Sequence, residues 1–84
     1  MQPIQELLNR IHWDKDFGTG DFELSFLDHV ENRLVKLPFH EISFISGDHY
    51  FFHYIDEEGV DHSVPFHRIK AVYKNGARIW FREH

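Results

Sequence analysis

The closing stretch IKAVYKNGARIWFR, Ile69 to Arg82, decides how this chain folds. Asn75-Gly76 stands between two alternating apolar runs. That dipeptide is the strongest short-range signal for a two-residue type I′ hairpin, because both central residues must take positive φ. A two-residue turn pairs Lys74 with Ala77, Tyr73 with Arg78, Ala71 with Trp80 and Ile69 with Arg82. Cross-strand partners share a face, as do alternate residues along each strand. One face then carries His67, Ile69, Ala71, Tyr73, Arg78, Trp80 and Arg82. The other carries Arg68, Lys70, Val72, Lys74, Ala77, Ile79, Phe81 and Glu83. The first face has two readings. Its aromatic surface, guanidinium groups and imidazole suit a terminal nucleotide, stacked through its base and gripped by its phosphate. Equally, Ile69, Ala71 and Trp80 suit a core, with the arginines lying over its rim. A slip of one residue in register exchanges the faces.

Working outward, SVPFHR precedes the hairpin. Pro65 stops a short strand over Val60–Val64, so His67-Arg68 falls at a strand junction. In a regular strand the two side chains point to opposite faces. One anion meets both only if the Pro65 corner twists the chain. His67 is then assigned to the Arg82 face, and Arg68 to holding the corner. Farther back, YFFHYI and EISFI flank SGDH, and DEEG turns the chain again. RLVKL and the alternating run Phe22, Leu24, Phe26 supply two more strands. At the start, Ile4, Leu7, Leu8 and Ile11 fall at helical spacing, with Pro3 suited to the first helical position and the helix ending near His12–Asp14. The pattern predicts an α+β fold, an N-terminal helix packed on a curled, mainly antiparallel sheet of about five to six strands. Residues 1–84 read as a single domain, with no repeat, linker or low-complexity stretch.

Composition narrows the function. The net charge is −5, but thirteen acidic and four basic residues lie in residues 1–66. Residues 67–84 carry Arg68, Lys70, Lys74, Arg78 and Arg82 against Glu83, a local +4. Phosphate neutralisation drives general nucleic-acid binding, so this balance disfavours a coat protein. A basic patch on an acidic body suits one phosphate at an end, or simply a solvated hairpin. No run approaches the ~20 apolar residues of a membrane span, and MQPIQELLNR lacks the basic start and apolar core of a signal peptide. A cytoplasmic location is the expectation. Without cysteine there is no disulfide and no thiolate metal site.

Eight histidines raise a metal site, which geometry argues against. His49 and His53 have the i, i+4 spacing that chelates on a helix, but HYFFHYI reads as a strand. There the side chains stand roughly 13 Å apart at about 3.3 Å per residue, too far for one zinc ion. No metal and no cofactor are expected. Ser25, Ser43, Ser46 and Ser63 lack a nucleophile-elbow setting, and no histidine begins a His-x-Ser/Thr motif. His29, His67 and Arg68 could serve a metal-free ribonuclease as acid, base and oxyanion stabiliser, although spacing gives no positive support. Gly18-Thr19-Gly20 is flanked by Asp16 and Asp21, which suits a turn better than a phosphate loop.

Several elements carry a family resemblance. They are an N-terminal helix leading into Ile11-His12-Trp13-Asp14, a strand ending near Asp28-His29, the run Val64-Pro65-Phe66-His67-Arg68-Ile69, and the ending Trp80-x-Arg82. Over nearly its whole length the chain resembles the small, mainly archaeal RNA cyclic-group end recognition domain family. The family pattern at the fourth element is Ile-Pro-Tyr-His-Arg-Ile, so Phe66 lacks a hydroxyl. The resemblance implies a non-enzymatic RNA-binding module that recognises a 2′,3′-cyclic phosphate end in RNA repair or processing. It places His67, Arg68 and Arg82 on the phosphate, with Trp13 and Trp80 supporting or stacking. At Asp28-His29 the family often has His-Arg or Asp-Arg, so a fixed cation becomes a titratable one here. The partners implied are an RNA 3′ end or small phosphate anion, and an RNA-processing enzyme. Two alternatives stand beside this: a metal-independent RNA-end phosphodiesterase using His67 and His29, and a protein-interaction module.

Overall fold

Ile4, Leu7 and Leu8 form the buried stripe of helix α1 (Ile4–Trp13) in a computed structural model that describes residues 3–45, 47–48 and 50–82. Each such side chain contributes about 1.5–3 kcal/mol on full burial. Pro3 sits one position earlier than expected, as an extended N-cap with φ −60° and ψ 147°. Its carbonyl accepts the Leu7 N–H at 3.2 Å. The helix ends at Asp14, whose Oδ1 accepts the Asp16 and Phe17 N–H groups. Gly18 then folds back on the helix, and a Cβ there would stand 2.3 Å from the Ile11 carbonyl oxygen. The glycine is required by that close approach.

Among the described residues seven antiparallel strands follow, in two sheets. They are β1 (Phe22–Asp28), β2 (Arg33–Pro38), β3 (Ile42–Ser43), β4 (Phe51–Ile55), β5 (Asp61–Pro65), β6 (Ile69–Lys74) and β7 (Ala77–Phe81). The larger sheet has the order β2-β1-β6-β7 and the smaller β3-β4-β5. The α+β class and the helix are as expected, but the single curled sheet is divided. Leu24, Phe26, Ile69, Val72 and Trp80 from the larger sheet meet Ile42, Phe52 and Val64 from the smaller, together with the helix stripe. The EISFI strand shortens to Ile42–Ser43: Glu41 belongs to the 3-10 turn Phe39–Glu41, and Phe44 and Ile45 lie beyond the strand.

The division is made by two corners of one design. Pro38-Phe39-His40-Glu41-Ile42 carries the chain from the larger sheet to the smaller, and Pro65-Phe66-His67-Arg68-Ile69 carries it back. Each proline ends a strand in extended conformation, ψ 148° and 143°, and a three-residue 3-10 turn follows. In each, the isoleucine N–H closes on the phenylalanine carbonyl. Proline donates no ladder bond and so ends a strand without leaving an N–H unpaired. Phe44 lies between the corners, 6.2 Å from Phe39 and 6.3 Å from Phe66 by ring centroid. A five-residue repeat is therefore present where none was expected.

The hairpin turn is type I′, with φ 51° at Asn75 and 84° at Gly76. Lys74–Ala77 and Tyr73–Arg78 pair as expected, but the next expected pairs do not form. Val72 pairs with Trp80 and Ala71 with Phe81, leaving Ile79 as the extra residue of a bulge. The Arg82 N–H bonds the Lys70 carbonyl at 2.9 Å, replacing the expected Ile69–Arg82 pair. A second irregularity lies opposite β1, where Ser25 pairs with Ala71 and Phe26 with Ile69. The cause is burial: the bulges turn Trp80 and Ile69 inward onto Val72, and Ile79 is left exposed. The expected face is thereby divided, with Ala71, Tyr73 and Arg78 sharing the outer face with Phe81.

Candidate functional site

β1 ends at Asp28, whose Oδ1 accepts the N–H groups of Val30 at 2.9 Å and Glu31 at 3.3 Å. This aspartate turn, with Asn32 at φ 52°, feeds the chain into β2 and carries His29 exposed at the turn. Facing it are Tyr54 of β4, His62 to Val64 of β5, and Arg68 of the second corner. Together they line a cleft of about 280 Å³. That is near the lower limit of small-molecule sites, roughly 300–1,000 Å³. Arg68 Nε is buried there with no hydrogen-bond partner among the described residues. A buried guanidinium N–H left unsatisfied is costly.

The far wall is held by a ring stack and a hydrogen-bonded carboxylate. Tyr54 and His62, cross-strand partners, stack with centroids 4.8 Å apart and planes 12° from parallel. His62 Nε2 lies 2.7 Å from Asp56 Oδ2. Asp56 Oδ1 meanwhile accepts the Glu58 and Val60 N–H groups at 2.9 Å. The His62 contact and then the backbone donors hold the Asp56 carboxyl below its ordinary value. Burial pushes the Tyr54 hydroxyl up, with the Asp28 and Asp56 carboxylates adding to the rise and Arg33 opposing it. The wall therefore presents a neutral phenol and an imidazole oriented by a carboxylate.

The expected site residues separate into three groups. Asp28, His29 and Arg68 share the cleft. His67 and Arg82 lie outside its lining: His67 is exposed, and its carbonyl accepts Arg82 Nη1 at 2.7 Å. Arg82 also lies 5.3 Å from the Trp80 ring centroid. Arg82 thus ties down the corner, and Arg68, expected to do so, lines the cleft. Trp80, only 5% exposed, supports Arg82 from the core. Trp13 is 76% exposed and lines a different groove with Phe44, Ile45 and Phe66. Tyr54 and His62 were missed. Pairing the strands about DEEG would have set Tyr54 opposite Asp61; the loop takes in Val60 as a fifth residue and so brings His62 to that place. His49 lies outside the described residues. His53 stands in β4 with Nε2 3.7 Å from Asp48 Oδ2. Among the described residues no helix is long and apolar enough to cross a membrane.

Fold and cleft together define a small α+β module with an arginine among the residues that line a recess beside the β1–β2 turn. The chain belongs to the MJ1316 RNA cyclic group end recognition domain family, whose model matches residues 1–82. No curated protein and no solved structure matches it. The family's name gives RNA ends bearing a cyclic group as its ligand class.

Proposed function

We propose that the protein binds the phosphate-bearing 3′ end of an RNA, a 2′,3′-cyclic phosphate above all, in the cleft between the β1–β2 turn and the Phe66–Arg68 corner. The observation that carries this reading is the buried, unpartnered Arg68 Nε in a recess also lined by His29 and His62. Arg68 meets the phosphate oxygens through charge-assisted hydrogen bonds, the strongest available to such a group. His29 covers the anion from the turn. Tyr54 and His62 face the terminal ribose, with the phenol donating and Asp56 orienting the imidazole. Asp28 lies in the same cleft as a carboxylate, but its Oδ1 is engaged by the turn. Arg82 acts through the corner it anchors.

An oligonucleotide ending in a 2′,3′-cyclic phosphate should bind at least about tenfold more tightly than the same strand with a 3′-hydroxyl, a difference of ~1.4 kcal/mol. Arg68→Gln should abolish that preference with the fold intact. Asp28→Asn keeps the oxygen that closes the turn and removes a negative charge, so it should sharpen the preference. Equal affinity for the two ends, measured by calorimetry at moderate salt, rules the reading out.

One observation favours a second reading, in which the cleft opens the cyclic ester. His62, held by Asp56, and His29 line the same recess, so two imidazoles would flank a bound ester. His67, the expected partner of His29, is not among the lining residues. Recovery of the unaltered cyclic end after prolonged incubation with excess protein excludes this second reading.

A further inference from the structure

Among the described residues no layer packs over the outer face of the larger sheet, and its chemistry is not that of an ordinary solvated face. Helix α1 and the smaller sheet join the larger sheet's core side. On the other side Lys36 Nζ lies 4.2 Å from the Tyr73 ring centroid. Arg78 Cζ lies 4.3 Å from that of Phe81. These contacts fix all four side chains on one face, in accord with the pairings Ser25–Lys36, Tyr73–Arg78 and Ala71–Phe81. Between them the sheet is floored by Ser25 and Ala71, both small and both buried. The result is a shallow trough with half-buried rings and cations on its sides.

We infer that this trough binds the single-stranded RNA that leads into the terminal cleft, its bases stacking on the Tyr73 and Phe81 pairs and its phosphates meeting Lys36 and Arg78. Three observations select this occupant. Rings alternating with cations match the alternation of base and phosphate, and stacking accepts any base. The two cations complement a polyanion, and among the described strand residues Glu23 is the one acid on this face. It stands 3.7 Å from Lys36 and gives that ammonium up to a phosphate. The face also runs into the cleft. Leu27, the outward neighbour of buried Phe26 and partner of exposed Leu34, is itself a cleft-lining residue. A strand whose last phosphate sits by Arg68 therefore passes over Leu27 onto the trough. The direction of the strand rests on the proposed function. The binding itself does not.

The test uses a short oligouridine ending in a 3′-hydroxyl, so that no end recognition is involved. Amide resonances of Lys36, Tyr73, Arg78 and Phe81 should shift together on titration. The double variant Lys36→Ser, Arg78→Ser alters only exposed positions of the larger sheet and should weaken binding by about tenfold, some 1.4 kcal/mol. For single strands each neutralised phosphate contributes about 0.7 to the slope of log affinity against log salt. Loss of two contacts should lower that slope by about 1.4. Unchanged affinity and slope in the double variant overturn the inference. So do shifts confined to other surfaces, or shifts that follow protein concentration and not RNA, which mark a second copy as the occupant. If the variant loses the slope while cyclic and hydroxyl ends bind equally, the trough stands and the end reading falls. If the end preference survives and the slope does not change, the reverse holds.

Discussion

The two corners, Pro38 to Ile42 and Pro65 to Ile69, share a sequence pattern and a backbone path yet differ at one chemical position. Proline, phenylalanine, histidine and isoleucine coincide, and the fourth residue is Glu41 in one and Arg68 in the other. Both histidines, His40 and His67, are exposed, and both isoleucines are buried. The coincident residues therefore belong to the corner as a device for changing sheets. Proline ends the strand, phenylalanine packs inward, and isoleucine starts the next strand. The proposed function rests on the difference. Glu41 is exposed, whereas Arg68 is drawn into a cleft. A motif that looks like a binding signature is thus mostly architecture, and the proposed binding rests on its fourth residue.

If the corners share a structural role, their isoleucines should report how deeply each is embedded. Ile69→Ala should cost about 2–5 kcal/mol, the range for truncating a fully buried aliphatic residue. Ile69 is fully enclosed and continues into the six-residue β6. Ile42 opens the two-residue β3 and retains slight exposure. Its truncation should fall at the low end of that range. Urea unfolding of both variants measures the contrast. Equal losses would mean that the second corner is no more central to the core than the first.

The chemistry of the fourth position is tested by exchanging it. Arg68→Glu should lower affinity for a phosphate-ended oligonucleotide by at least about tenfold, ~1.4 kcal/mol. Glu41→Arg should create no such affinity, because Glu41 is exposed and lines neither of the recesses beside its own corner. Both should leave the far-ultraviolet circular dichroism unchanged. An affinity gained in Glu41→Arg would show that a corner arginine is sufficient by itself. In that event the cleft walls supplied by Tyr54, His62 and His29 would be irrelevant.

What could be read from the chain alone follows the range of the physics involved. The α1 stripe and the Asn75-Gly76 turn are local signals, and both appear in the structure with boundaries within a residue or two. The bulges at Ile79 and Lys70 are not local. They exist because Trp80 and Ile69 gain more from the core than regular pairing provides, and that comparison needs the core to be known. Predicted faces failed there for the reason that makes register powerful: one extra residue reverses every side chain beyond it. The corner repeat was visible in the letters, but five residues are too few to appear as a period. At the site, the Arg68 and Asp28-His29 elements were identified from resemblance, while their meeting in one cleft depends on tertiary structure. Tyr54 and His62 carried no motif. Their pairing alone places them.

The smallest expected effect concerns Arg82, which gives the second corner a tie from β7's end. Its Nη1 donates to the His67 carbonyl at 2.7 Å, and its guanidinium lies beside the Trp80 ring. A hydrogen bond from a charged donor is worth about 1.5–3 kcal/mol where water is excluded. This one is exposed to solvent, and a net loss of about 1 kcal/mol or less is expected for Arg82→Ala. The larger consequence is positional. With the tie gone, the Phe66–Arg68 turn loosens and Arg68 samples the cleft less often, so anion affinity should fall along with that small loss of stability. Arg82→Lys keeps the charge but not the planar geometry of the donor. If Arg82 acts as a tether, the lysine variant should resemble alanine in affinity. If it acts by attracting the phosphate directly, lysine should restore most of the binding, and the salt dependence of the two variants should differ by about one phosphate contact. Calorimetric titrations at two salt concentrations separate these outcomes and decide whether Arg68 and Arg82 share one task or divide it.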